Sequence, residues 1–210
     1  MIRIAPEGRW FIAAAWAILL VLALLGWWLA AVVWLVVAIW VVVFFRDPER
    51  RWASRPDLIV APADGRVVSV IRVEEPAFLA APATRISIFM NVFDCHVNRY
   101  PTDGTVTYRQ YNAGKFMHAA AEKSSADNEQ SSIGLATAHG RLLVRQIAGW
   151  VARRIVTDDP VGTPVHQGER LGMIRFGSRV DVFFPEAAAT PLVQVGDRTL
   201  VGVTPVARWN

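Results

Sequence analysis

Cysteine is nearly absent from this chain of 210 residues: Cys95 is its only one. A lone thiol closes no internal disulfide and builds no zinc site, so neither staple is expected. Histidine is scarce as well, with four in the chain. No two are spaced His-x-x-x-His, and no tight His/Cys/Asp/Glu cluster has ligand spacing, so no metal site is expected. Zinc-finger spacing and RNP-like aromatic motifs are missing too. The formal charge of +4 and the pI of 9.8 are therefore not read as a nucleic-acid signature, and no nucleic-acid partner is expected.

The most informative absence is charge. From Trp10 to Phe45 the chain carries no charged residue at all. The run is too long and apolar for a surface helix, and too long for a cleavable signal peptide, whose apolar region spans about 7–15 residues. As one helix it would extend about 54 Å, against a hydrocarbon core about 30 Å thick. Two crossings of about 17 residues each meet the lower limit for a span. Gly26-Trp27-Trp28 supplies a turn with interfacial indoles. Arg3 and Arg9 precede the run, and Arg46, Arg50, Arg51 and Arg55 follow it. The positive-inside rule then places both ends, and the domain that follows, on the cytoplasmic side of the cell membrane. A single tilted helix is the alternative. The expected organisation is a cytoplasmic N-terminus over 1–9, a transmembrane helical hairpin over 10–45, a basic juxtamembrane linker over 46–57 and one domain over 58–210. The linker's arginines suit anionic lipid headgroups, at about 1 kcal/mol per basic residue near the surface.

From Leu58 onward the pattern changes to short β-branched runs broken by Gly, Pro and Asp. Turns are expected at Ala63-Asp64-Gly65, Asp103-Gly104, His139-Gly140 and Gln167-Gly168, with a closing hairpin at Gly196-Asp197. The segment "GWVARRIV" reads as a short helix or a further strand, with helix preferred. The fold class is α+β, mainly β: a compact β-rich domain behind the helical hairpin. "APADGRV" and "VHQGERLGMI" echo the two halves of a barrel-sandwich hybrid. Carriers of that fold present a Lys at the hairpin tip, and neither turn has one.

Generic motifs leave the chemistry open. His139 and His166 lie beside glycine turns and read as surface residues. His118 lies in "GKFMHAAAEKSSADNEQSS", a polar stretch that reads as a long loop or lid. His96 ends a strand in "VFDCHVNRY". Asp64 reads first as a turn residue. Ser178, in "GMIRFGSRVDVFFP", reads first as a bulge or kink within a buried strand. It does not fit Gly-x-Ser-x-Gly, since Val180 stands where the second Gly would be.

Taken in order, "APADGRV", "FMNVFDCHVNRYP", "NAGKF", "DNEQ", "RQIAGWVARRIV", "GERLGMIRFGSRVDVFFP" and "VGDRTLVGVTPVA" resemble the phosphatidylserine decarboxylase proenzymes, in their short form with an N-terminal membrane segment. The resemblance covers nearly everything after Leu58. "IRFGSRVDVFFP" and "DCHVNRYP" are its specific parts. The family's usual Leu-Gly-Ser-Thr reads Phe176-Gly177-Ser178-Arg179 here.

The resemblance implies that the chain cuts itself between Gly177 and Ser178. The Ser178 hydroxyl would attack the Gly177 carbonyl, and β-elimination and hydrolysis would leave a covalent pyruvoyl group on the new N-terminus. A β chain ending at Gly177 and a small α chain would stay associated. It further implies Ser178 as nucleophile, His96 as general base and later acid, and Asp64 as its orienting partner. The pyruvoyl ketone would condense with the substrate amine as a Schiff base and act as electron sink for loss of carbon dioxide. Phosphatidylserine in the bilayer is the implied substrate, with Arg99, Lys115 and His118 as candidate headgroup contacts. Longer members carry a second histidine where this chain has Arg99, and an arginine is no base near neutral pH. A homo-oligomer is left open. Three alternatives stand beside this reading: a pyruvoyl decarboxylase of another amino-headgroup lipid, a non-enzymatic membrane-tethered module of hybrid-motif fold, and a membrane serine hydrolase that keeps Ser178.

Overall fold

The computed structural model describes residues 2–50, 54–114, 128–149, 154–175 and 178–210. The chain divides into two compact units, Met1–Glu49 and Arg50–Asn210.

In the first unit, β1 (Ile2–Ile4) leads to helix α1 (Arg9–Leu24), then α2 (Trp28–Phe44) and β2 (Arg46–Pro48). Gly26 takes φ 71° in the turn between the helices, a conformation open to glycine at little cost. Trp34 Nε1 donates to the Ala15 carbonyl across the helix pair at 2.8 Å. β1 and β2 pair antiparallel, Ile2 opposite Pro48, and Ala5 N donates to Phe45 O at 2.8 Å. The two ends of the helix pair therefore lie together. Apolar side chains stay on the outside: Trp10 is 85% exposed, Leu24 78% and Leu29 82%. Surfaces of that kind call for a partner other than water. Residues Pro6–Leu24 form one helix long and apolar enough to cross a membrane, and Trp28–Phe44 is a shorter apolar helix.

The second unit is almost wholly β among the described residues. In chain order its strands are β3 (Leu58–Val60), β4 (Gly65–Glu75), β5 (Ala81–Met90), β6 (Val97–Arg99), β7 (Gly104–Asn112), β8 (Gln130–Thr137), β9 (Gly140–Ala148), β10 (Ile155–Thr157), β11 (Pro164–Val165), β12 (Arg170–Ile174), β13 (Ser178–Pro185), β14 (Ala189–Pro191), β15 (Arg198–Thr199) and β16 (Pro205–Trp209). An eight-stranded antiparallel sheet runs β11-β7-β8-β9-β13-β5-β4-β15. A three-stranded sheet runs β10-β12-β6, and another β14-β16-β3. The main core takes Ile86, Ile88 and Met90 from β5, Leu142 and Val144 from β9, and Val180, Val182 and Phe184 from β13. These are alternate residues of neighbouring strands, so they share one face of the large sheet.

Several expectations change here. "GMIRFGSRVDVFFP" is not one kinked strand. β12 belongs to a three-stranded sheet and β13 to the large one, so the chain changes sheets across Phe176-Gly177, which lie outside the described residues. The closing hairpin at Gly196-Asp197 is a turn without a hairpin. β14 pairs with β16, while β15 pairs with β4 through Arg198–Arg66 and Thr199–Gly65. Within "GWVARRIV", Ile155 and Val156 form strand β10 and not a helix; 150–153 lie outside the described residues. The two turns read as heads of hybrid-motif halves open strands of different sheets, β4 and β12. The β8–β9 turn at His139-Gly140 is a hairpin, with Thr137 opposite Gly140. His139 and His166 are exposed and Cys95 is buried.

Candidate functional site

Ser178 is the first residue of β13, the middle strand of three: it sits opposite Met90 on β5 and Ala148 on β9. It is fully buried, and its Oγ donates to Met90 Sδ at 3.3 Å. A thioether sulfur is a weak acceptor, so the hydroxyl is placed but loosely held. Asn98 of β6, also fully buried, points its Nδ2 at the same sulfur at 3.7 Å. Two donors thus converge on one weak acceptor where the chain passes between sheets.

His96 lies just before β6 and is fully buried. Its Nδ1 is 3.0 Å from the Asp94 carbonyl oxygen. A carbonyl only accepts, so Nδ1 donates, and the neutral form of the ring would carry its basic lone pair on Nε2. The backbone next to it is tied to β12, since Ile174 N donates to His96 O at 3.3 Å.

Asp64 precedes β4 and is 5% exposed. Arg50 grips its carboxylate with both terminal nitrogens, Nη1 on Oδ1 and Nη2 on Oδ2, the latter at 2.7 Å. Val201 N adds a bond to Oδ1 at 2.7 Å. Asp64 thus accepts hydrogen bonds from Arg50 and Val201. The Asp94 carbonyl is a hydrogen-bond partner of the His96 ring. Arg99 Nη1 donates to Gly168 O at 3.0 Å, and its backbone N donates to Pro62 O at 3.0 Å. Lys115, His118 and Gly177 lie outside the described residues.

Sequence reasoning missed a polar chain running away from Ser178. Gln146 Nε2 donates to Asn98 Oδ1 at 2.8 Å. Thr157 Oγ1 donates to Gln146 Oε1 at 3.0 Å, and Ser131 Oγ lies 2.8 Å from Thr157 Oγ1. Thr157 and Asn98 flank Gly172 in register across β10-β12-β6. Gln146 reaches from the large sheet to both. Gly172 has φ 154°, and a Cβ there would lie 2.0 Å from the Val156 carbonyl oxygen. Ser131 and Thr157 end the chain at a cavity of about 480 Å³, lined also by Arg109, Tyr111 and Arg154. One signal for this chain is in the sequence: Gln146 is a polar residue on the face of β9 that otherwise carries Leu142, Val144 and Ala148 into the core.

A group made from Ser178 fits this place. A cut before residue 178 leaves all of β13 intact. A family model described as phosphatidylserine decarboxylase matches residues 37–207. Three curated relatives, each named phosphatidylserine decarboxylase proenzyme, align along nearly all of the chain. That of Cereibacter sphaeroides is 46% identical over 96% of this chain and 88% of its own length. That of Ruegeria pomeroyi is 45% identical over 96% and 93%, and that of Symbiobacterium thermophilum 47% over 98% and 95%. Matches of this extent cover the buried serine, its sulfur and the histidine at the end of β5–β6 alike: the chain belongs to the phosphatidylserine decarboxylase family.

Proposed function

We propose that the chain is a proenzyme that cuts itself between Gly177 and Ser178 and then converts phosphatidylserine to phosphatidylethanolamine. The observation that carries this reading is the position of Ser178: a buried hydroxyl at the first residue of β13, right where the chain changes sheets, in a family of named proenzymes. Ser178 is the nucleophile. His96 takes its proton through Nε2, because Nδ1 is committed to Asp94. Asp64, whose carboxylate is held by Arg50 and Val201, is the proposed orienting acid. One water is consumed and one ammonia released as Ser178 becomes a pyruvoyl group. That group supplies an electrophilic carbonyl that draws electrons as carbon dioxide leaves. His96 then returns a proton to the product. Arg99, Lys115 and His118 are the proposed headgroup contacts.

After the cut, the small chain starting at 178 stays bound to the large one. β13 pairs with β5 and β9, β15 with β4, and β16 with β3. Each of those pairs joins the small chain to the large one. The apolar exterior of α1 and α2 and the pairing of β1 with β2 support two membrane crossings with both ends in the cytoplasm, beside a substrate that stays in the bilayer. The decisive assay follows carbon dioxide release from phosphatidylserine in mixed micelles. Wild type is active and borohydride with substrate leaves an adduct on the small chain. Ser178→Ala is inactive and stays uncut. An active Ser178→Ala protein would sink the proposal.

A further inference from the structure

We propose that Met90 is a positioning residue with two successive partners: its sulfur holds the Ser178 hydroxyl in the uncut chain, and then packs against the methyl group that takes the hydroxyl's place. The inference rests on the reading that Ser178 becomes a pyruvoyl group.

The seat is apolar by construction. Ser178 lies in register between Met90 of β5 and Ala148 of β9. Residues directly opposite each other on antiparallel strands share a face of the sheet. That face carries Val180, Val182 and Phe184 of β13 into the main core, together with Met90 and Ala148. Met90, Ser178 and Ala148 are all fully buried. A hydroxyl is the odd group in such a row, and its Oγ donates to Met90 Sδ at 3.3 Å.

Conversion changes what the seat holds. Once Ser178 Oγ has formed an ester with residue 177, elimination removes the Cα proton of residue 178 and breaks its Cβ–Oγ bond. The oxygen leaves in the new carboxylate of residue 177. Cβ takes up a proton and becomes a methyl group, while water adds at Cα and the nitrogen departs as ammonia. The carbon that bore the hydroxyl stays on the chain. A thioether suits both occupants, as a weak acceptor for O–H and as a polarizable apolar surface for a methyl group. A carbonyl or carboxylate there would hold the hydroxyl firmly and then lose its donor inside the core; a hydrocarbon would leave the hydroxyl buried without a partner before the cut. The sulfur also faces a second donor that the conversion does not consume, Asn98 Nδ2 at 3.7 Å. The hold has a kinetic consequence. The single proton of Ser178 Oγ is directed at the sulfur, so handing it to a base breaks that contact. An interaction made in the resting chain and lost in the transition state slows the step. Removing the sulfur alone therefore speeds self-cleavage, whereas damage to packing slows it.

Time courses of chain cleavage separate the two, using full-length protein made in a cell-free system with lipid vesicles and resolved by denaturing electrophoresis. Norleucine supplied in place of methionine keeps the length of the side chain and replaces its sulfur by a methylene. The expected result is cleavage about two- to fivefold faster, the size of one weak hydrogen bond. Carbon dioxide release from phosphatidylserine, counted per small chain, should stay at the wild-type rate, because the mature group has no hydroxyl to hold. Met90→Leu should cleave as fast as the norleucine protein and gain nothing further from norleucine. Unchanged or slower cleavage of the norleucine protein would overturn the inference, the slower rate pointing to packing alone. So would a norleucine effect that persists in Met90→Leu, which would place it at another methionine. If the norleucine protein does not fold, Met90→Leu with ordinary methionine decides: faster cleavage supports the inference, and an unchanged or slower rate refutes it. Failure of wild type to cleave at all would instead remove the reading of Ser178 on which the inference rests.

Discussion

At the scale of single residues, the site is built by partners far apart in sequence. Arg50 and Val201 both bind Asp64, from either end of the domain. Arg50 was legible as a basic linker residue and Asp64 as a turn residue, but nothing local to either marks the pair. Removing Arg50's fork leaves a nearly buried carboxylate with one backbone bond. Arg50→Gln should lower the denaturation midpoint by the equivalent of about 1.5–3 kcal/mol, the range for hydrogen bonds to charged groups, and should slow self-cleavage in the folded fraction. Unchanged stability and unchanged cleavage together would show that the fork is incidental. His96 stood out in sequence because it ends a strand beside polar residues; Asn98, two residues on, was quoted in the same motif without a role. Its buried amide is bonded by Gln146, and the in-register row Thr157-Gly172-Asn98 is a fact of strand pairing. Residue patterns do not specify pairing between distant strands.

At the scale of elements, β13 decides most. It is buried along nearly its whole length, on both faces. One face puts Val180, Val182 and Phe184 into the main core, and the other carries Phe183 with Arg179 and Asp181. Arg179 Nη2 donates to Asp181 Oδ2 at 3.0 Å, and both residues are at most 2% exposed. Breaking such a pair removes the carboxylate that this buried guanidinium bonds on its own strand. Asp181→Ala, placed in an uncleavable Ser178→Ala background, should destabilise by about 3–5 kcal/mol, read from the denaturant midpoint. A loss below about 1 kcal/mol would mean that other groups neutralise Arg179. Periodicity identified this strand correctly as buried, and failed where it joined β13 to β12. An apolar run with a Gly-Ser interruption looks the same whether the chain bulges within a sheet or leaves it. Likewise, Gly196-Asp197 marked a real turn, with Asp197 Oδ2 accepting from Gln194 N at 2.9 Å. Its flanks are drawn to β16 and β4 and not to each other.

At the scale of the whole molecule, a charge-free run and a β-rich domain were both plain from composition. The reason is physical: lipid exposure and strand burial each leave a strong local pattern. The proposed topology has a direct check, helped by the scarcity of cysteine. Cys95 is buried, so a thiol introduced at the helix turn reports alone. Trp27→Cys should react with a membrane-impermeant maleimide in intact cells, from outside. Reaction only after permeabilisation would reverse the orientation or remove the second crossing. The central claim, however, concerns one bond. Intact-mass measurement of the purified, denatured wild-type protein tests it most directly. The account predicts two chains, the large one ending at Gly177 and the small one beginning at residue 178, lighter than a serine-ended chain by one ammonia and blocked to Edman sequencing. A single full-length chain with a free Ser178 hydroxyl would contradict it.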